Sequence, residues 1–149
     1  MIQFSNIKFT CSVLGMSIFI FSLSSYKVVN ADMTNLGTLS TSSDYSYAMD
    51  ANSDGSIVVG YADNTSGGNN RAFKWDSTNG MTDLGVLSGG SNSSAYAISD
   101  DGNVIVGYSN STNGIRAFKY DSTNGMTDIG TLDGSIHGSY AQAVSADGS

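Results

Sequence analysis

The feature that most constrains this chain is that it repeats itself. Arg71-Ala72-Phe73-Lys74-Trp75-Asp76-Ser77-Thr78-Asn79-Gly80 returns as Arg116-Ala117-Phe118-Lys119-Tyr120-Asp121-Ser122-Thr123-Asn124-Gly125. Met81-Thr82-Asp83-Leu84-Gly85-Val86-Leu87 returns as Met126-Thr127-Asp128-Ile129-Gly130-Thr131-Leu132, and stands earlier as Met33-Thr34-Asn35-Leu36-Gly37-Thr38-Leu39. Residues 46–61 align without gaps on 93–108, and 46–56 on 139–149. The copies run about 33–80, 81–125 and 126–149, the last incomplete, with a period of about 45 residues. A unit of that length is one supersecondary element that must bury its apolar face against a neighbour.

Each copy holds four runs with strand character. The first surrounds Tyr47 to Ala51, or Ala95 to Ile98, and ends at Asp54-Gly55 or Asp101-Gly102. Asp-Gly between apolar runs signals a hairpin whose glycine has positive φ. The second is Ile57-Val58-Val59-Gly60-Tyr61, matched by Val104-Ile105-Val106-Gly107-Tyr108. Successive β-branched residues predict a strand covered on both faces. The third is Arg71 to Trp75, with Arg71, Phe73 and Trp75 on one face, and the fourth is Met81 to Leu87. Beyond the N-terminal segment no stretch has helical periodicity, and the chain has no proline to bar a strand from a sheet centre.

Four strands in such a period is the arithmetic of a propeller blade. The expected class is all-β: tandem four-stranded antiparallel repeats forming part of a β-propeller. A β-solenoid would have shorter coils, and a plain sandwich has no need of near-identical copies. Residues 33–39 read as a fourth-type strand ahead of any first-type strand, the offset that ring closure by both termini requires. The third copy stops at Asp147-Gly148-Ser149, inside a turn, so further C-terminal blades of a longer product are expected partners.

Residues 1–31 read as an export signal: Lys8, a short apolar helix over 11–23, and Val29-Asn30-Ala31 as the cleavage site, leaving Asp32 first. The apolar run of about 13 residues is short of the roughly 20 that span a bilayer. Cleavage removes Cys11, the one cysteine, and leaves residues 32–149 as a repeat domain without thiol chemistry. Four basic residues then face 13 aspartates, nine net negative charges, with no glutamate. Such a surface excludes nucleic acid and contact with anionic membranes. Secretion or display on a bacterial cell surface is the expected location.

The repeat resembles the HAF-type extracellular repeat of bacteria. The resemblance is carried by Asn35 or Asp83 through Leu39 or Leu87, by Ser99-Asp100-Asp101-Gly102, by Val106-Gly107, and by Ala117-Phe118 with Tyr120. It covers residues 33–149. Arg71 and Arg116 stand where that pattern has histidine. The resemblance implies export and propeller-like repeats, in some members as autotransporter passengers, and it implies no reaction.

Catalytic constellations are not legible. The one histidine, His137, lies in a loop of a single copy, and the aspartates sit at turns. The expectation is a non-catalytic interaction or adhesion module for an extracellular protein or glycan. The alternative is a piece of a glycosidase-like propeller enzyme whose catalytic residues lie in other blades. No cofactor is expected beyond a weak calcium candidate, Asp50, Asn52 and Asp54, with oxygens at alternate positions before Gly55. Tyr61 stands where the closing acid should be, and the other copies have Ala97 and Ser99, or Ala143 and Ser145, at the first two positions. Phe73, Trp75, Phe118 and Tyr120 offer aromatic surface for a sugar, or more simply the core between sheets.

Overall fold

The computed structural model describes residues 33–41, 45–64, 68–132, 134 and 137–149; the expected signal helix, its cleavage site and Asp32 lie outside them. All strands among the described residues belong to the second of two compact units, residues 34–149. The fold is all-β. β1 (Ser46–Ala51), β2 (Ile57–Asp63), β3 (Asn70–Asp76) and β4 (Gly80–Asp83) form one antiparallel sheet in sequence order. β5 (Ser93–Ile98), β6 (Ile105–Ser111), β7 (Gly114–Asp121) and β8 (Gly125–Asp128) form the second in the same order.

Turn chemistry explains the meander. Gly55 and Gly102 have φ of 71° and 75°, as Asp-Gly hairpins demand. In the first hairpin Asn52 Oδ1 accepts from Ile57 N (2.9 Å), and in the second Ser99 Oγ accepts from Val104 N (3.0 Å). Asp76 Oδ1 accepts from Thr78 N (2.9 Å) and Asn79 N (2.8 Å), joining β3 to β4, and Asp121 does the same for Thr123 N and Asn124 N. The pairing slips at matching places, between Ala48 and Asp50 in β1 and between Ala95 and Ala97 in β5. Met49 and Tyr96 are therefore bulge residues. Beside these bulges the glycine of Val-Val-Gly is obligatory, since a Cβ on Gly60 or Gly107 would collide with Tyr47 O or Ser94 O.

The core lies between the sheets. β5 packs across β1, β2 and β3. Val59, Ala72, Leu84, Leu87, Ala95, Ile98, Ile105 and Phe118 form one buried cluster. Ser93, fully buried, stitches the sheets: its hydroxyl accepts from Ala72 N (2.9 Å) and donates to Gly85 O (2.6 Å). The same joint recurs one copy on, where Ser139 Oγ accepts from Ala117 N (2.9 Å) and donates to Gly130 O (2.7 Å). Equivalent turns also form a ladder, with Ser53 N donating to Asp100 O (3.3 Å) and Asp100 N to Ala146 O (3.0 Å).

The fourth runs differ from expectation. β4 and β8 stop at Asp83 and Asp128, whose carboxylates accept from Gly85 N and Gly130 N (both 2.7 Å). With Gly85 at φ 85° the chain turns inward there, and Leu84 and Leu87 drop into the core. Residues 33–39 are not a strand. β4 exists by pairing with β3, Met81 opposite Trp75, and among the described residues nothing pairs with 33–39 in that way. Met126 to Asp128 completes the second sheet as β8 and does not open a third. Residues 139–149 carry no strand pairing, yet they lie against the second sheet much as β5 lies against the first.

Candidate binding surface

Six of the chain's eight tyrosines form a series of two ring groups, three on the first sheet and three on the second. Tyr47 and Tyr61 are register partners and stack at 5.0 Å between centroids, with planes 25° apart. Tyr45 meets Tyr47 edge-on at 5.6 Å, and its hydroxyl donates to Asn70 Oδ1 (3.0 Å). In the second sheet the bulge residue Tyr96 lies 5.5 Å from Tyr108, which lies 5.1 Å from Tyr140. Partial burial pushes the Tyr96 phenol up, with further contributions from Tyr108, Tyr61 and Tyr140. Tyr47 and Tyr140 are 52% and 48% exposed, which leaves them open to a partner. Tyrosine suits that position: a large apolar ring, a hydroxyl that bonds in either direction, and few rotors to immobilise.

The sequence does not announce this series, because its members come from different strands and, apart from the register pair Tyr47 and Tyr61, the bulge at Tyr96 and the position of residues 139–149 bring them together. The aromatic positions that do stand out behave otherwise. Phe73 and Phe118 are fully buried and closed to any sugar. Tyr120 is half-buried against the core, and Trp75 is half-buried on the first sheet.

The calcium candidates point to separate tasks. Asp50 Oδ1 accepts from Ala51 N (2.9 Å) and its Oδ2 from Ile98 N (3.0 Å), tying β1 to β5. Asn52 caps the hairpin, and Asp54 Oδ1 accepts from Ser56 N (2.9 Å). Bonds from the Ser56 side chain and then its amide hold the Asp54 carboxyl below the ordinary aspartate value. Each oxygen faces a different amide rather than a common centre. Among the described residues no cluster of three or more His, Cys, Asp or Glu could hold a metal.

His137 is exposed, and its carbonyl accepts from Arg116 Nη1 (3.4 Å). Arg116, 6% exposed, also bonds Ile115 O (3.0 Å) and lies 3.8 Å from Asp128 Oδ2. The arginine at the resemblance's histidine position thus ties β7 to β8 and to the loop beyond. In the first copy Arg71 Nε is buried without a hydrogen-bond partner. Comparison with family models, with curated proteins and with solved structures finds no match to this chain.

Proposed function

We propose that this chain is an exported, non-catalytic binding module, a partial β-propeller of the extracellular repeat kind it resembles. It acts outside the cell or on a bacterial surface. The series of tyrosines supports this reading and suggests the partner, an extended neutral glycan. Rings and hydroxyls repeated from copy to copy suit a polymer of repeating polar rings, while 13 acids against six bases repel anionic chains. The turn aspartates support a non-catalytic reading, since their oxygens hold backbone amides.

Native gels cast with a soluble glucan, a mannan or a galactan test the proposal by retardation. Tyr47→Ala and Tyr140→Ala should each weaken binding to the retarding polymer by about tenfold, the loss of roughly 1.4 kcal/mol of ring contact. Tyr120→Phe should leave retardation unchanged. Mobility indifferent to all three polymers, or binding that survives both tyrosine variants, would overturn the reading.

A further inference from the structure

The tetrapeptide Ser-Thr-Asn-Gly occurs three times in the chain, as residues 77–80, 111–114 and 122–125. They join β3 to β4, β6 to β7 and β7 to β8, each with its asparagine exposed and its glycine at positive φ. The residue before the tetrapeptide differs: Asp76 and Asp121 precede the first and third, Asn110 the second. Asn79 Nδ2 donates to both carboxylate oxygens of Asp76 (3.0 Å each), and Asn124 Nδ2 to both of Asp121 at the same distances. Asn110 faces another way. Its Oδ1 accepts from Ser91 N (3.0 Å) and Asn92 N (2.7 Å), in the link between the sheets. Asn113 is left with Ser111, whose hydroxyl accepts from Asn113 N (3.1 Å) and donates to Gly114 O (3.0 Å). Among the described residues the Asn113 carboxamide has no hydrogen-bond partner.

An asparagine before glycine is open to attack by its own main chain, because no side chain screens the glycine nitrogen. That nitrogen gives its proton to base and bonds to the asparagine Cγ. Nδ2 takes up a proton and leaves as ammonia, and a succinimide ring remains. Water then adds to either ring carbonyl and breaks its bond to the ring nitrogen, giving aspartate or isoaspartate without any oxidant or reductant. Asp76 and Asp121 oppose this chemistry in two ways. Their bonds hold the carboxamide against the carboxylate and must break before the ring can close. A carboxylate beside Nδ2 also repels the negative charge that builds as the nitrogen attacks. The Asn79 or Asn124 side chain and then its amide keep that carboxyl below the ordinary aspartate value, and so charged.

We propose that Asn113 is a modification site, deamidating in the folded protein through this succinimide, while Asp76 and Asp121 protect the same tetrapeptide in the other two turns. The change falls on the joint between the sheets. Thr112 N donates to Ser88 O (3.0 Å), and a Cβ on Gly89 would collide with Thr112 Cγ2. Isoaspartate lengthens the main chain by one methylene in this closely seated turn, and aspartate adds a charge to it.

The purified full chain, held warm in mildly alkaline buffer, tests this by peptide mapping with mass spectrometry and by isoaspartyl methyltransferase labelling. In urea the three asparagines should react at one rate, since all three sit in the same tetrapeptide. In the native chain Asn79 and Asn124 should lag Asn113 by about tenfold or more, the effect of a hydrogen bond to a charged group that must break first. Asp76→Ala should bring Asn79 up to the rate of Asn113 and leave Asn124 slow. Asp121→Ala should do the reverse. A native Asn113 as slow as its two counterparts overturns the proposal. So does an Asn79 that stays slow in Asp76→Ala, or a variant in which both guarded turns speed up together, which would mean general loosening in place of local protection.

Discussion

β1 and β5 are the same strand in successive copies, and they live in opposite surroundings. Ser46, Ala48 and the Asp54-Gly55 turn are answered by Ser93, Ala95 and Asp101-Gly102, and both strands bulge at the same place. In β5, Ala95 is fully buried and Ile98 is 5% exposed, whereas their counterparts in β1, Ala48 and Ala51, are exposed. Local sequence makes the strand, its bulge and its turn; a neighbouring copy buries it. Apolar stabilisation in this protein is therefore a property of junctions, as in other repeat arrays.

The largest expected effect sets Ile105 against Val58, one residue position in two copies. Ile105→Ala opens a hole between the sheets and should cost about 2–5 kcal/mol. Val58→Ala trims a half-exposed side chain and should cost about 1 kcal/mol or less. Urea denaturation at concentrations where the chain is monomeric measures both. Equal losses would mean that the outer face of the first sheet is as well packed as the junction, and the contrast would fail.

A finer contrast uses the hairpin glycines. Gly55 and Gly102 share a left-handed φ, so a side chain at either should cost about 1–2 kcal/mol in backbone strain. Nothing lies within 4 Å of a Cβ at Gly55, whereas one at Gly102 meets Ile57 Cδ1 at 2.6 Å. Gly102→Val should therefore exceed Gly55→Val by about 1–3 kcal/mol of overpacking. Matching melting temperatures for the two variants would show that the turn does not press on the preceding copy.

The all-β class, the first three strands of the two sheets and the positive φ of the Asp-Gly glycines follow from local rules, because hairpin chemistry acts over a few residues. Met81 to Leu87 is uniformly strand-like in sequence, yet β4 ends at Asp83. Asp83 breaks it by capping Gly85, and Leu84 and Leu87 serve as plugs instead of pleats. Residues 33–39 show the same limit from the other side: nearly the same letters as Met81 to Leu87, yet no strand pairing among the described residues. The tyrosine series was out of reach for a related reason. Tyr96 meets Tyr108 only because β5 bulges there, and Tyr108 meets Tyr140 only because residues 139–149 lie on the second sheet.

The smallest expected effect checks the local half of the comparison. Asp76 and Asp121 make the same bonds in the two copies. The Asn79 or Asn124 side chain leads, the backbone amides follow, and each carboxyl is held below the ordinary aspartate value. A lowered folded pKa means that the charged form favours the native state. Its contribution is complete above the unfolded aspartate value of about 3.9 and fades as pH falls through the folded one. Thermal midpoints should hold steady near neutrality and decline below about pH 4. Asp76→Asn and Asp121→Asn should each make that decline slightly shallower, and by the same amount, since both carboxyls are exposed and neither bond depends on the neighbouring sheet. Carboxyl NMR titrations that trace one curve for both residues would bear this out. Diverging curves would mean that the junction reaches the outer turns, and the division between local turns and shared burial would have to be redrawn.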